Sequence, residues 1–287
     1  MEQLLQLVAN GLMAGAVLAV PAIGLSTIFA VLRFADFAVA GHIAVGAFAG
    51  WYVNAVLGLP AGVAVAAAFA VAGLVGIGTH EAALRPLRAA SSLTLAIASI
   101  ALNLMLENAI RFGFGNEPRN FAIPLMRDWS VAGLRIGPQQ AENAAIAVTA
   151  MAVLFLFLSL TATGKAMRAV ADNPALADSK GIDPARMARL AVGLGMGLAG
   201  IGGMLVGLDS AIDPLIGFRA ILSVFAAAVV GGFGSIPGAA IGGFAIGLAE
   251  ELSLLAVPPT YKGAIGFVAI LAILTLRPRG LLGAAHA

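Results

Sequence analysis

The sequence predicts an all-α integral membrane protein, a polytopic bundle of eight or nine transmembrane helices with a broken or re-entrant Gly-rich segment. Three observations carry this. First, 61% of the 287 residues are hydrophobic and only 10% are charged, and the mean hydropathy is +1.01. Soluble domains are about 45–50% apolar and about 25% charged, so lipid must be the solvent for most of this chain. Second, apolar runs close to the roughly 20 residues that a span requires recur from end to end. Third, glycine reaches 36 residues, as expected where membrane helices pack closely through small residues.

The same composition excludes several chemistries. There is no cysteine, so disulfides, thiolate catalysis and Cys-based metal sites are absent. A formal charge of +2 is too small to mark a nucleic-acid binder. Only Glu2 and Gln3 precede the first apolar run. With no basic region and no cleavage site, that run is expected to remain as a span rather than act as a signal peptide.

Spans are expected near 5–31, 37–57, 60–79, 91–110, 143–162, 189–209, 219–233, 236–256 and 263–277. The seventh is short. The stretch from Ala228 to Gly243 is too rich in glycine for one continuous helix. Irregular backbone at membrane depth is tolerated only where protein or a water-filled cavity covers it. The chain reads as one transmembrane domain over 1–287, with a cytoplasmic loop at 163–190 and an external loop at 111–142. Lys165, Arg168, Lys180, Arg186 and Arg189 place the first loop on the cytoplasmic side, with Arg33, Arg85, Arg88, Arg277 and Arg279. The second loop has mixed charge and a strand-like stretch, Trp129 to Gly137.

The cytoplasmic loop carries ordered helix signals. Asn173 can cap a helix that begins at Pro174, where the missing N–H is no loss. Gly181 can end it in a left-handed conformation. Asp183 can cap a second helix that begins at Pro184 and runs into the next span. The expected short helix, Pro174 to Lys180, suits either a docking surface for a motor domain or an ordinary interfacial loop. Gly164-Lys165 mimics the end of a phosphate loop but fails as one. Ser159 stands where a glycine is needed, and Ala166 where Ser or Thr is needed.

Ionisable residues near spans are costly and mark candidate sites. Glu107 and Arg111 lie four apart and are expected to pair. Asp36 follows Arg33 in the first tight turn, and His42 lies early in the second span; neither has metal-spaced companions. Asp209 and Asp213 flank the end of the sixth span. Glu250 and Glu251 lie deeper in the eighth, and one of them should face a polar interior. Gly231, Gly232, Gly234, Ser235, Pro237 and Gly238 form either a tight turn or a broken helix of the kind that lines substrate paths. The candidates for such a path are Asp36, His42, Gly232, Gly234, Ser235 and Glu250. No metal or cofactor is expected.

Three segments together resemble the permease subunits of branched-chain amino acid ABC importers of the LivH type. They are Gly24 to Trp51, the loop from Thr163 with its glycine-spaced span, and Gly231 to Leu252 followed by Phe267 to Gly283. The resemblance implies a permease of the bacterial inner membrane, paired with a related second permease. Two cytoplasmic ATPase subunits would power it, and a periplasmic binding protein would deliver the ligand. Asn173, Pro174, Ala175 and Leu176 match the family's cytoplasmic coupling loop. Arg168 and Asp172, on its approach, are counted with them as ATPase contacts. One departure bears on cargo: the family often reads Asn-Phe-Ala-His-Gly after the first turn, whereas this chain has Asp36 to Gly41 with His42 displaced. Urea, short amides or other amino acids therefore stand beside leucine, isoleucine and valine.

The rival classes are weaker. A secondary transporter needs its own ion site and an internal repeat, and the similarity of Ala38–Trp51 to Gly238–Glu250 is too faint for one. A channel for small polar solutes lacks a repeated selectivity motif. A membrane enzyme lacks a nucleophile, base and oxyanion set.

Overall fold

The computed structural model describes residues 2–123, 127–131, 133–277 and 279–283. Its helices are α1 (Glu2–Leu32), α2 (Val39–Trp51), α3 (Ala61–Thr79), α4 (Ser92–Phe114), α5 (Pro138–Leu160), α6 (Ala162–Asp172), α7 (Pro174–Ser179), α8 (Pro184–Asp209), α9 (Ile216–Gly231), α10 (Ile236–Ser253) and α11 (Ala264–Leu276). A short antiparallel hairpin, β1 (Trp129–Val131) and β2 (Leu134–Ile136), pairs Trp129 with Ile136. It occupies the stretch that reads as strand-like in the sequence. Wider and tighter turns extend α2 to Val56 and α3 to Leu87. Among the described residues, six helices are then long and apolar enough to cross a membrane: α1, extended α2, extended α3, α4, α5 and α8. The molecule is an all-α membrane protein. α9 and α11 are shorter apolar helices, and α10 has 18 residues with Glu250 and Glu251 near its end.

The helix starts follow from side-chain caps. Ser91, Thr161, Asn173, Asp183 and Ser235 each accept a hydrogen bond from a backbone N–H of the turn they open. Each thereby satisfies a donor that the helix itself leaves free. Proline occupies the first or second position of α5, α7, α8 and α10, where its fixed φ helps and its missing N–H is no loss. This explains why α5 begins at Pro138, ahead of the first apolar residue of its expected span.

α1 and α8 form the centre. Their most apolar windows are 72% and 78% buried, against 28% for α3 and for α5. The outer helices turn large side chains outward, among them Leu104 and Met105 on α4, Val153 and Leu156 on α5, and Leu271 on α11. This is the pattern of a bundle immersed in lipid.

The central helices touch backbone to backbone. A Cβ on Gly46 would lie 2.1 Å from Gly200 Cα, one on Gly203 2.0 Å from Ile43 O, and one on Gly217 1.8 Å from Ala40 O. Gly217 and Ala40 belong to the first turns of α9 and α2, so two interrupted helices begin against each other inside the bundle. Gly41, beside them, faces Asn103 and Leu106 midway along α4. Each interruption follows a long helix. After α1 the chain turns at Arg33, whose φ is 60°. After α8 it passes Ile212, which bridges to Arg119.

Polar contacts sort the connections into two ends. At one end the Arg33 guanidinium donates to the Ala171 carbonyl and Arg189 pairs with Glu81 at 3.2 Å. There Leu281 and Leu282 donate to the carbonyls of Val230 and Gly231, folding the terminal segment under α9. At the other end Gln6 binds Arg135 of the hairpin, Trp51 donates to Asn120 O at 3.0 Å, and Lys262 pairs with Glu251. Glu107 and Arg111 pair at 2.7 Å, as their spacing predicts. The Gly-rich stretch resolves into two helices joined by a turn at Gly232–Ser235. Gly232 (φ 110°) and Gly234 (φ 85°) take conformations that side chains resist.

Close approach makes a sharp prediction. Gly217→Ala forces a methyl into the Ala40 carbonyl and should cost about 1–3 kcal/mol of stability, as overpacking does. Gly62→Ala, with nothing within 4 Å of its Cβ, should be neutral. Thermal melts of the two variants in the same detergent check this; equal melting temperatures would contradict the packing.

Candidate functional site

The first candidate surface lies at the end where Arg33 meets Ala171. α6 is amphipathic: Met167 and Val170 are buried, while Lys165 and Arg168 face outward. It stops at Asn173, whose side chain accepts from Leu176 N at 3.0 Å and opens α7. α7 ends at Ser179 with Lys180 as its C-cap, and Gly181 follows with φ 82°, donating to Asp178 O at 2.9 Å. Ile182 returns a bond to Ala177 O at 3.0 Å. Asp183 then accepts from Ala185 N and Arg186 N. These two donors hold its carboxyl below the usual carboxylate range. The expected short helix is present, one residue shorter than the sequence indicates, because the last turn tightens around Lys180.

On α7 only Ala177 turns inward. Arg168, Asp172, Asn173, Pro174, Ala175 and Leu176 are all exposed and adjacent, and Leu176 is 57% exposed. Behind them a cavity of about 250 Å³ is lined by Val170, Pro174, Pro184, Leu32, His80 and Arg88. α7 is therefore carried on α6 and α8, with the end of α1 across the cavity. The sequence did not distinguish α6 as a helix of its own. Its signal was the Thr161 cap, which accepts from Gly164 N at 2.9 Å.

The second candidate is a cavity of about 350 Å³ among α1, α8, α9 and α10, reaching Ile43 of α2. Asp209, Ser210, Arg219, Ser223, Glu250 and Lys262 supply its polar wall, and Val17, Leu18, Pro21, Ile43 and Val224 its apolar wall. Asn143 holds Asp209 at 2.9 Å, and Ser223 donates to Glu250 at 2.6 Å. Arg219 pairs with Asp213 at 2.7 Å. A smaller polar recess beside it adds Asn10, Gln140 and Glu251.

The residues expected to line a path do not all converge. Glu250 reaches the cavity. Asp36 and His42 are fully enclosed: Asp36 Oδ1 accepts from Ala38 N at 2.9 Å, and His42 Nδ1 donates to Ala38 O at 2.7 Å. Both brace the first turn of α2. Gly232, Gly234 and Ser235 form the turn between α9 and α10, against the terminal segment and Phe29. Ser235 caps α10. Arg219, Ser223 and Lys262 were not legible as site residues, since isolated polar residues with no companions at helical spacing carry no pattern. Among the described residues, no group of three or more His, Cys, Asp or Glu side chains could hold a metal ion.

Comparison with known proteins matches this frame. Residues 7–274 match the family described as the permease component of the branched-chain amino acid transport system. The high-affinity branched-chain amino acid transport system permease protein LivH of Escherichia coli K12 is 32% identical, with 97% of this chain and 95% of that protein covered. BraD of Pseudomonas aeruginosa, of the same description, is 31% identical over the same shares. A probable branched-chain amino acid transport permease of Methanocaldococcus jannaschii is 29% identical, covering 91% of this chain and 87% of that one. In fold alone, a chain of PsaBC from Streptococcus pneumoniae, solved in complex with a Fab, aligns with a TM-score of 0.50. That alignment has 16% identity and covers 94% of this chain and 92% of the other. By the extent of the family match and by these near-full-length relatives, this chain belongs to the branched-chain amino acid transport permease family.

Proposed function

We propose that this chain is a transmembrane permease subunit of an ABC importer in the bacterial inner membrane, forming the path for branched-chain or other small amino acids. It would pair with a second, related permease. Two cytoplasmic ATPase subunits would drive the pair, and a periplasmic binding protein would deliver the ligand. The chain itself would hydrolyse nothing.

The observation that carries the reading is α7. It is a capped, six-residue helix displayed outward, held by hydrogen bonds at both ends and seated on α6 and on α8, which runs through the bundle. A push on such an element is passed to α6 and α8 instead of being absorbed by a flexible loop. Its end also gathers most of the basic residues, including Arg33, Arg85, Arg88, Arg186, Arg189 and Arg279. By the positive-inside rule that end is cytoplasmic, which makes 163–190 the coupling loop and 111–142 the external one. Counting α9, α10 and α11 as full or partial spans beside the six long helices keeps eight or nine spans. The turn at Gly232–Ser235 would be the broken element. Helices interrupted within a bundle, such as α2 and α9, are a recurrent feature of transport proteins.

The account predicts separate effects at the coupling helix. Leu176→Glu places a charge on its exposed apolar side chain and should lower co-purification of the ATPase about tenfold, equivalent to about 1.4 kcal/mol. The melting temperature should stay unchanged. Asn173→Ala removes the cap, should cost about 1 kcal/mol locally, and should slow ATP-driven uptake. Pull-down and uptake that match the wild type in both variants would remove α7 from the coupling role.

A further inference from the structure

We propose that the cavity between α1, α8, α9 and α10 is a subsite for the zwitterionic head of an amino acid, with Asp209 and Glu250 receiving its ammonium group. The proposal rests on the permease reading above and names the ligand chemistry of one site within it.

The argument starts from a charge imbalance. The cavity wall carries Arg219 and Lys262, but each already has a carboxylate partner, Asp213 and Glu251 respectively. Asp209 and Glu250 form no ion pair among the described residues. Each is held instead by a neutral donor, Asn143 at 2.9 Å and Ser223 at 2.6 Å. Such bonds orient a carboxylate without matching its charge, and the Lys262 ammonium that bears on Glu250 is shared with Glu251. Glu250 is half-buried on α10 and Asp209 stands at the exposed end of α8; with Asp213 and Glu251 they make four carboxylates against the two cations Arg219 and Lys262, and a primary ammonium with three N–H donors is the ligand that complements this excess.

The rest of the wall suits the remainder of such a molecule. Arg219 has five N–H donors, and its hydrogen bond to Asp213 uses one nitrogen. It is the group available for an α-carboxylate at the cavity mouth. Pro21 withholds the N–H that would otherwise engage the Val17 carbonyl, and both residues line the cavity. Val17, Leu18, Pro21, Ile43 and Val224 give the aliphatic portion a dry surface. At about 350 Å³ the space falls within the range of small-molecule sites, about 300–1,000 Å³. A urea- or amide-sized neutral solute would leave that excess of carboxylates unmatched.

Because the chain has no cysteine, one introduced thiol reports on the cavity. Ser210→Cys at its rim, in the assembled complex in liposomes, would be labelled with the cationic aminoethyl and the anionic sulfonatoethyl methanethiosulfonates. The cationic reagent should react about tenfold faster than the anionic one, as focused negative potential requires. That preference should collapse when Asp209→Asn and Glu250→Gln are added. Leucine should slow labelling, and 4-methylpentanoate, which lacks the ammonium, should not. Equal rates for the two reagents, a preference that survives the double substitution, or equal protection by both compounds would each overturn the subsite. Should the double variant fail to assemble, the reagent preference and the protection assay on the Ser210→Cys protein alone decide the matter. Amino-acid uptake by the wild-type complex is measured in parallel. Uptake without the labelling pattern sinks only the subsite, whereas absence of any uptake sinks the permease reading itself.

Discussion

Contact of backbone against backbone, with no side chain between, is what the rest of this molecule depends on. In lipid, apolar side chains gain nothing by leaving their surroundings, so helices associate through close packing and polar contacts. Here Gly46 meets Gly200, Gly203 meets Ile43, Gly217 meets Ala40, Gly231 meets Gly238 and Gly247 meets Gly15. These contacts tie α1, α2, α8, α9 and α10 into one inner group. The interrupted helices α2 and α9 rely on them most, because their first turns lie inside the bundle, where water cannot satisfy exposed backbone groups. Asp36 and His42 contribute at the same place by binding Ala38 N and Ala38 O.

That inner group links the two candidate sites. α8 is capped by Asp183, close to α7, and ends at Asp209, on the cavity wall. α1 runs from the recess beside that cavity to Arg33, which grips the end of α6. A displacement of α7 would therefore reach the cavity through two long helices packed on each other, entered by the short turn at Lys180–Asp183 and by the Arg33 contact. The aromatic contacts Phe37–Phe225 and Phe29–Phe233, with ring centroids 4.7 and 4.3 Å apart, join the same elements nearer the α7 end.

Much of this was legible in the sequence, for reasons that vary by element. Composition settled the membrane class. Caps and prolines located α7 and the start of α8, because a Ser, Thr, Asn or Asp before a proline has few other roles. The four-residue spacing of Glu107 and Arg111 disclosed their pair. Less visible was which face of a uniformly apolar helix turns inward, since nearly every position on α1 or α8 is apolar or small and periodicity has no contrast to report. The cavity was hidden for a related reason. Its polar groups come from four separate places in the chain, Asp209, Arg219, Glu250 and Lys262, and only the fold brings them together. The enclosure of Asp36 and His42 could not be read either, because a polar residue beside a turn looks the same whether it lines a path or braces a helix.

The most direct test of the account is uptake by the purified complex in sealed proteoliposomes, with the binding protein and labelled leucine outside. The account predicts accumulation that requires ATP hydrolysis on the coupling-helix side and the binding protein on the other. Proton or sodium gradients should have no effect. Accumulation driven by an ion gradient in the absence of ATP would contradict it and make the chain a self-sufficient secondary transporter.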